Sequence, residues 1–441
     1  MAEQSIGERL EALLNHLALD RVHIAACLSS DWGDLVGPLR DRVASLTIVA
    51  PHLNKGTPDG AATFDRPIGV IAGAEGAPGK RARALAEVIP NAVFKDLPTY
   101  TSNIWSDVVA DRTNEVEAAL LEFTTAAKTA LPPSGSQAET EGSYAGLRYS
   151  IRGNGPPLML LPLSLAPTQW NSLVGRLSER FCVIQVTGSN IGAVALLENR
   201  VKSGYGTLAA TILDMAHLGP GENALEVGCG TAALSRGLLA RSSETSHILA
   251  TDLNPFLLAE AAALCEEEGL SSQIKFEEAD GTCLPYANDT FDVVFSATVL
   301  EEVDADKMLG ELVRVTKSGG RVAVITRAVD ADWWVNLDLP ESLLRTVNSS
   351  GPKTGAGVGA TSCADASLYY RAQHAGLRPL QIGPQFATYH FGERLEDVVS
   401  RLGSVLADGE REEYEAAVER ARSSGTLLVC EPFHCLVGEV I

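Results

Sequence analysis

The sequence predicts an α/β chain in two parts, a helix-covered sheet in residues 1–190 and a doubly wound sheet in residues 200–441. Three observations predict it. Short β-branched runs alternate with amphipathic helical stretches almost end to end, the pattern of parallel strands covered by helices. From Gly204 onward, five strand-helix steps follow one another in order. Between the parts, the polar, proline-bearing stretch 131–143 (LPPSGSQAETEGS) reads as a linker, and a fresh lead-in helix marks a boundary near 191–203.

In the second part, a helix over 208–218 stops at Gly219-Pro220-Gly221, and a strand over 223–227 runs into a glycine turn. A helix over 233–241, a strand over 247–251, a helix over 255–268 ending at Gly269 and a strand over 274–278 come next. A buried strand over 291–296, a helix over 304–315 and a strand over 321–326 complete the five steps.

The chain has 441 residues, enough for two or three domains, and a net charge of −21 that repels phosphate backbones and anionic lipid. Nucleic acid is therefore not an expected partner. The charge is uneven: residues 1–200 carry 17 basic and 21 acidic side chains, residues 201–441 carry 18 and 35. No apolar run reaches the roughly 20 residues that span a bilayer, and the N-terminus has no basic start followed by an apolar block, so no membrane association and a cytoplasmic location are expected. Eight cysteines without a Cys-x-x-Cys pair signal neither a metal site nor a disulfide framework.

The chemistry concentrates in LEVGCGTA, residues 225–232. Gly228 and Gly230 let the backbone turn tightly at the carboxyl end of a strand, where open α/β sheets bind ligands. A dinucleotide site wants a third glycine, and that position is Ala233. Glu226 is also unfavourable beside a pyrophosphate and suits a cationic, amino-acid-like ligand. Asp252 ends the next strand, where a carboxylate can accept from both ribose hydroxyls. Asp280, with the backbone of Ala279, ends the third strand and suits an adenine edge; Ser296 ends the fourth.

LEVGCGTA, ATDLN, EADG, FDVVFSATVLEEV and the KSGGRV turn occur in order within residues 225–325. Together they resemble the class I S-adenosylmethionine-dependent methyltransferases, in particular the small-molecule branch containing the ubiquinone/menaquinone-type enzymes. The resemblance implies a Rossmann-like, seven-stranded domain with S-adenosylmethionine as cofactor. It implies that Gly228, Cys229 and Gly230 pack under the methionine moiety, with Glu226 near its ammonium group. Asp252 and Leu253 would hold the ribose, Ala279, Asp280 and Gly281 the adenine, with Ser296 facing the ligand. The family's usual glycine after the Gly-x-Gly-Thr is Ala232 here, a change expected to narrow the turn.

Methyl transfer is an in-line displacement that alignment can largely drive, and a base is needed only for a poorly ionised nucleophile. Glu301 and Glu302 stand in the segment where relatives often carry an imidazole. Either can accept a proton or steer a cationic substrate, or both are solvated acids favoured by the helix start. Tyr205, at the head of the lead-in helix, is a candidate lid over the cofactor or ordinary packing. His390, in an expected strand, is a candidate base or a structural histidine. Substrate contacts are expected from an insertion over about 330–365, with Trp333, Trp334 and Asn336 as an aromatic wall with a polar anchor, alongside the glycine-rich stretch 351–359. Tyr369 follows, on a helix over 366–375.

In the first part, strands over 22–28, 46–51, 67–72 and 92–97 alternate with helices near 31–43, 79–89 and 104–123. This resembles the C-terminal half of an α/β-hydrolase, and residues 146–186 resemble the start of the same fold, so the halves stand in reversed order as in a circular permutation. The nucleophile elbow Gly-x-Ser-x-Gly is replaced by AACLSSD, in which neither Cys27 nor Ser29 has the required glycines. The slot for a histidine reads Tyr100-Thr-Ser-Asn103, and Glu75 alone keeps an acid position. A degenerate hydrolase-like domain is expected, serving to cover the site, bind part of the substrate or form a homodimer.

The sequence thus points to methylation of a small organic molecule, with oxygen as the expected acceptor atom. The alternatives are a bifunctional methyltransferase/hydrolase and a regulatory protein that holds S-adenosylmethionine without turning it over.

Overall fold

In a computed structural model, residues 4–28, 33, 35, 37–51, 63–90, 92–126, 131–133, 140–242, 245–351 and 361–441 are described. Ser29, residues 134–139 of the expected linker and residues 352–359 of the glycine-rich stretch lie outside them. The chain divides into two compact units, residues 1–196 and 197–441.

Strands β1 (Val22–Ala26), β2 (Val43–Val49), β3 (Ile68–Gly73), β4 (Ala92–Leu97), β5 (Thr140–Tyr144), β6 (Leu147–Arg152), β7 (Pro157–Leu160) and β8 (Cys182–Thr187) form one sheet in the first unit. Its order is β4-β3-β2-β1-β7-β8-β6-β5. The pair β5/β6 and the pair β6/β8 are antiparallel, and every other neighbour is parallel. β1, β2 and β3 are buried along their whole length because both faces are covered, which is why they read as continuous apolar runs. Alternate residues feed two cores. Ile48 and Val70 join Leu10 and Leu13 on one face, while Val49 and Ile71 join Leu120 and Trp170 on the other.

Three expectations are corrected here. Residues 140–143 of the linker belong to β5. Residues 37–42, expected inside a helix, form turns leading into β2. The long helix expected over 104–123 is two helices, Val108–Asp111 and Thr113–Thr125, broken where the Thr113 hydroxyl donates to the Val109 carbonyl at 2.7 Å.

The second unit is built on β9 (Asn223–Val227), β10 (His247–Asp252), β11 (Ile274–Glu278), β12 (Phe291–Ala297), β13 (Thr316–Arg327), β14 (Trp334–Val335), β15 (Leu377–Tyr389) and β16 (Val429–Val440). The order is β11-β10-β9-β12-β13-β16-β14, with β15 also paired to β16. The two-residue β14 therefore makes eight strands where seven are expected. β16 runs antiparallel to β13, β14 and β15.

β9 is central, with Ala224 opposite Ile248 on one side and Val293 on the other. The chain winds outward from β9 through β10 to β11, then returns to β12 and winds the other way. The reversal leaves a crevice at the carboxyl ends of β9 and β12. Local chemistry fixes the helices around it: Asn254 accepts from the Leu257 amide at 3.2 Å ahead of Pro255, starting the helix Pro255–Glu267. Asp304 caps the helix Ala305–Val315 through the Lys307 amide at 3.2 Å. The lead-in helix, Gly204–Ala216, starts four residues earlier than its apolar pattern suggests. No helix among the described residues is long and apolar enough to cross a membrane.

Candidate active site

The loop after β9 lies at this crevice. Gly228 has φ of +75°, and a Cβ there would stand 2.2 Å from Cγ2 of Val299, the residue two positions beyond β12. The amides of Gly228 and Cys229 both donate to the Thr251 carbonyl at 2.8 Å, folding the loop onto the end of β10. Asp252 completes the fold by accepting from the Gly230 amide at 2.7 Å and the Asn254 amide at 2.9 Å. Ala232 takes a left-handed φ of +55°, so the missing family glycine is met by strain in alanine, at a cost of about 1–2 kcal/mol.

Two carboxylates sit in or under this loop. Burial holds the Asp252 carboxyl above the usual carboxylate range. Glu226 is almost wholly buried, accepts a short hydrogen bond from the Ser235 hydroxyl, and is pushed up to about 8 by burial. At the third strand end, Asp280 is exposed, and its Oδ1 accepts from the amide and hydroxyl of Thr282, both at 2.8 Å. Leu253 is 57% exposed beside it, and Gly281 is buried against Val227.

Residues 224–320 match a family model described as a methyltransferase domain. An uncharacterized protein of Mycobacterium tuberculosis is 34% identical over 137 residues, covering 31% of this chain and 47% of that protein. The ubiquinone/menaquinone biosynthesis C-methyltransferase UbiE of Legionella pneumophila is 28% identical over 114 residues, 26% of this chain and 46% of that one. Residues 224–320 form a methyltransferase domain of the S-adenosylmethionine-dependent class. The matches span about half the length of those relatives. Among solved structures, the cyclase SpnF is similar with a TM-score of 0.36 at 21% identity, over 54% of this chain and 80% of that one.

Several expected contacts of the methyltransferase domain are used internally. The Ala279 amide, expected to serve an adenine, donates to the Asp252 carbonyl at 3.2 Å. Ser296 is buried and donates to the Val227 carbonyl at 2.8 Å, tying β12 to β9 instead of facing a ligand. Both groups shape the crevice from behind.

The candidate catalytic residues separate. Glu301 is 0% exposed: it pairs with the Arg327 guanidinium at 2.5 Å and accepts from the Arg327 amide at 2.7 Å, so it is neither a solvated acid nor an open base. Tyr205 is buried, with the Arg200 guanidinium 3.7 Å from its ring centre and Phe433 at 5.2 Å between centroids. Burial raises its hydroxyl above the ordinary phenol range. His390 is exposed one residue beyond β15 and stacks edge-on with Phe391 at 4.6 Å. The structure gives it no contact with Glu301 or Tyr205.

The expected substrate wall also divides. Trp333 is a core residue, and Gly351 approaches its ring so closely that a Cβ would clash at 2.0 Å. Trp334 is 47% exposed on β14, the outward position in a strand's alternation. The Asn336 side-chain amide donates to the Thr426 carbonyl at 2.9 Å, so the polar anchor holds a loop. Tyr369 is half-buried, its hydroxyl 2.9 Å from Nδ1 of His434, whose Nε2 lies 2.7 Å from Asp330.

Sequence reasoning missed the residues around Tyr205. Thr298, just past β12, has φ of +59°, a strained conformation for a β-branched residue, and its hydroxyl accepts from Arg200 at 3.1 Å. Glu431, at the start of β16, accepts from Tyr389 at 2.6 Å and from Arg394 at 3.1 Å. Nothing in the spacing of Arg200, Arg327 and Glu431 along the chain brings them together; the antiparallel return of β16 beside β13 does.

Proposed function

We propose that residues 197–441 transfer the methyl group of S-adenosylmethionine to a small organic acceptor, with oxygen as the acceptor atom. The observation that carries this is the glycine loop at the topological switch, tied by Gly230 to Asp252, within the segment matching a methyltransferase domain. The donor set fits the cofactor: Asp252 and Glu226 are acids held partly against ionisation by burial, and a cationic ligand relieves that cost. Asp252, Asp280 and the loop from Gly228 to Gly230 would hold it. When bound, it supplies a methyl group on a sulfonium sulfur. Thr298 and Val299 then limit the approach of an acceptor from the β12 side. With Glu301 saturated by Arg327, that carboxylate is not open as a base, which favours an acceptor that is already ionised.

For residues 1–196, we infer a permuted, inactive α/β-hydrolase-like domain. What supports this is the strand order: followed from β5 to β8 and then from β1 to β4, the strands succeed one another across the sheet with one exchange, β8 before β7. At the end of β1, where a nucleophile would stand, the Cys27 thiol donates to the Ala50 carbonyl at 3.3 Å. The test is calorimetric titration of the full chain with S-adenosylmethionine and S-adenosylhomocysteine, then an acceptor screen by mass spectrometry and a serine-directed covalent probe. Micromolar cofactor binding, a methylated small molecule and no labelling within residues 1–196 are expected. Absence of binding to either cofactor form refutes the methyltransferase reading, and covalent labelling of the first unit refutes its inactivity.

A further inference from the structure

Two separate sets of ion pairs stand near the carboxyl end of β13 and the adjoining start of β16. Arg327 pairs with Glu301; Arg394 bridges Glu431 and Asp397, and Asp397 also takes Arg401 at 2.9 Å. Among the described residues Arg200 has no carboxylate within ion-pair distance, although Glu431 feels its charge through space. Its guanidinium donates to the Thr298 hydroxyl at 3.1 Å and lies over the Tyr205 ring at 3.7 Å, with Phe433 at 5.9 Å. Arg200 is half-buried, so the N–H groups that do not bond Thr298 can donate to a ligand.

We propose that Arg200, seconded by Arg327, is the anchor for an anionic acceptor, a small molecule bearing a carboxylate; this rests on the methyltransferase reading above. The chemistry matches piece by piece. A guanidinium stacked on a ring keeps its planar edge free, and that edge fits both oxygens of a carboxylate. Arg327 commits one nitrogen to Glu301 and is 37% exposed, so it reinforces the positive potential without competing for the same geometry. Tyr205 and Phe433, both buried, pack against the guanidinium and fix its position. Strained Thr298 joins the anchor to the loop: its hydroxyl holds Arg200, and the next residue, Val299, covers Gly228. Glu431 is hydrogen-bonded to Tyr389 and Arg394 and acts on Arg200 only through space.

The test is titration of the full chain, loaded with S-adenosylhomocysteine, with benzoate and with benzamide, which share a body and differ in charge. Benzoate is expected to bind at least about tenfold tighter than benzamide. Arg200→Gln should weaken benzoate at least about fivefold and leave benzamide unchanged. Arg378→Gln, which removes the same charge at the opposite end of β15, should leave both unchanged. Equal binding of the two probes, no benzoate binding, or equal benzoate affinity in wild type and Arg200→Gln overturns the proposal. Should S-adenosylhomocysteine itself fail to bind, the methyltransferase reading falls, and the same comparisons on the unloaded chain still decide the anion site.

Discussion

Asp252 accepts the amide hydrogen of Gly230 across 2.7 Å, so the carboxylate at the end of β10 is a fixed part of the glycine loop as well as a candidate ribose ligand. Its removal loses both roles. Asp252→Ala is expected to weaken S-adenosylhomocysteine binding by about 1.5–3 kcal/mol, tenfold or more, in calorimetric titration. Unchanged affinity would remove Asp252 from the site.

Val299 closes over the space where a Gly228 side chain would stand. A methyl group at Gly228 would collide with Val299 at 2.2 Å while adopting a φ of +75°. Gly228→Ala should therefore lower cofactor affinity at least about tenfold, from about 1–2 kcal/mol of backbone strain plus displacement of the valine. Adding Val299→Ala removes the collision but not the strain, so the double variant should regain part of the affinity. A double variant no better than Gly228→Ala would mean that strain alone accounts for the loss.

What could be read from the sequence follows from how local each feature is. The five parallel strands from β9 to β13 are short apolar runs bounded by glycines and capping residues, and their order follows from the chain itself. The position of Ser296 at a strand end is equally legible, but its direction is not, because its partner is the Val227 carbonyl on a neighbouring strand 69 residues away. Ala279 is similar: the carbonyl of Asp252 claims its amide. β15 and β16 resist sequence reading because prolines interrupt both, Pro379 and Pro384 in one and Pro432 in the other. The arginine cluster that β16 assembles was hidden for the same reason.

Glu226 makes folding pH-dependent in an unusual direction for a carboxyl. Its folded value of about 8 lies above its ordinary 4.5, so the folded state binds the proton more tightly than the unfolded state. The stability this gives is complete below the unfolded value and is lost as pH rises from about 4.5 through about 8. Glu226→Gln cannot ionise and can still accept from Ser235. Urea denaturation at pH 5 and pH 8.5 should show a smaller loss of stability in the variant than in the wild type. The same loss in both would show that Glu226 ionises freely in the folded protein.

The Glu301–Arg327 pair is asymmetric, and the asymmetry predicts which substitution hurts more. Glu301 is fully buried, whereas Arg327 keeps 37% of its side chain exposed. Removing the arginine strands the Glu301 carboxyl group away from water with the backbone amide of residue 327, at 2.7 Å, as its main remaining donor, because the Thr326 hydroxyl donates to the Cys363 carbonyl at 2.8 Å. Arg327→Met should therefore cost about 3–5 kcal/mol by urea denaturation. Glu301→Gln leaves a cation that solvent still reaches, and its side-chain oxygen can keep the Arg327 amide, so its cost should be smaller by at least about 1 kcal/mol. If Glu301→Gln proves the more damaging, Arg327 depends on Glu301 more than its exposure implies, and the guanidinium rather than the carboxylate is the replaceable partner.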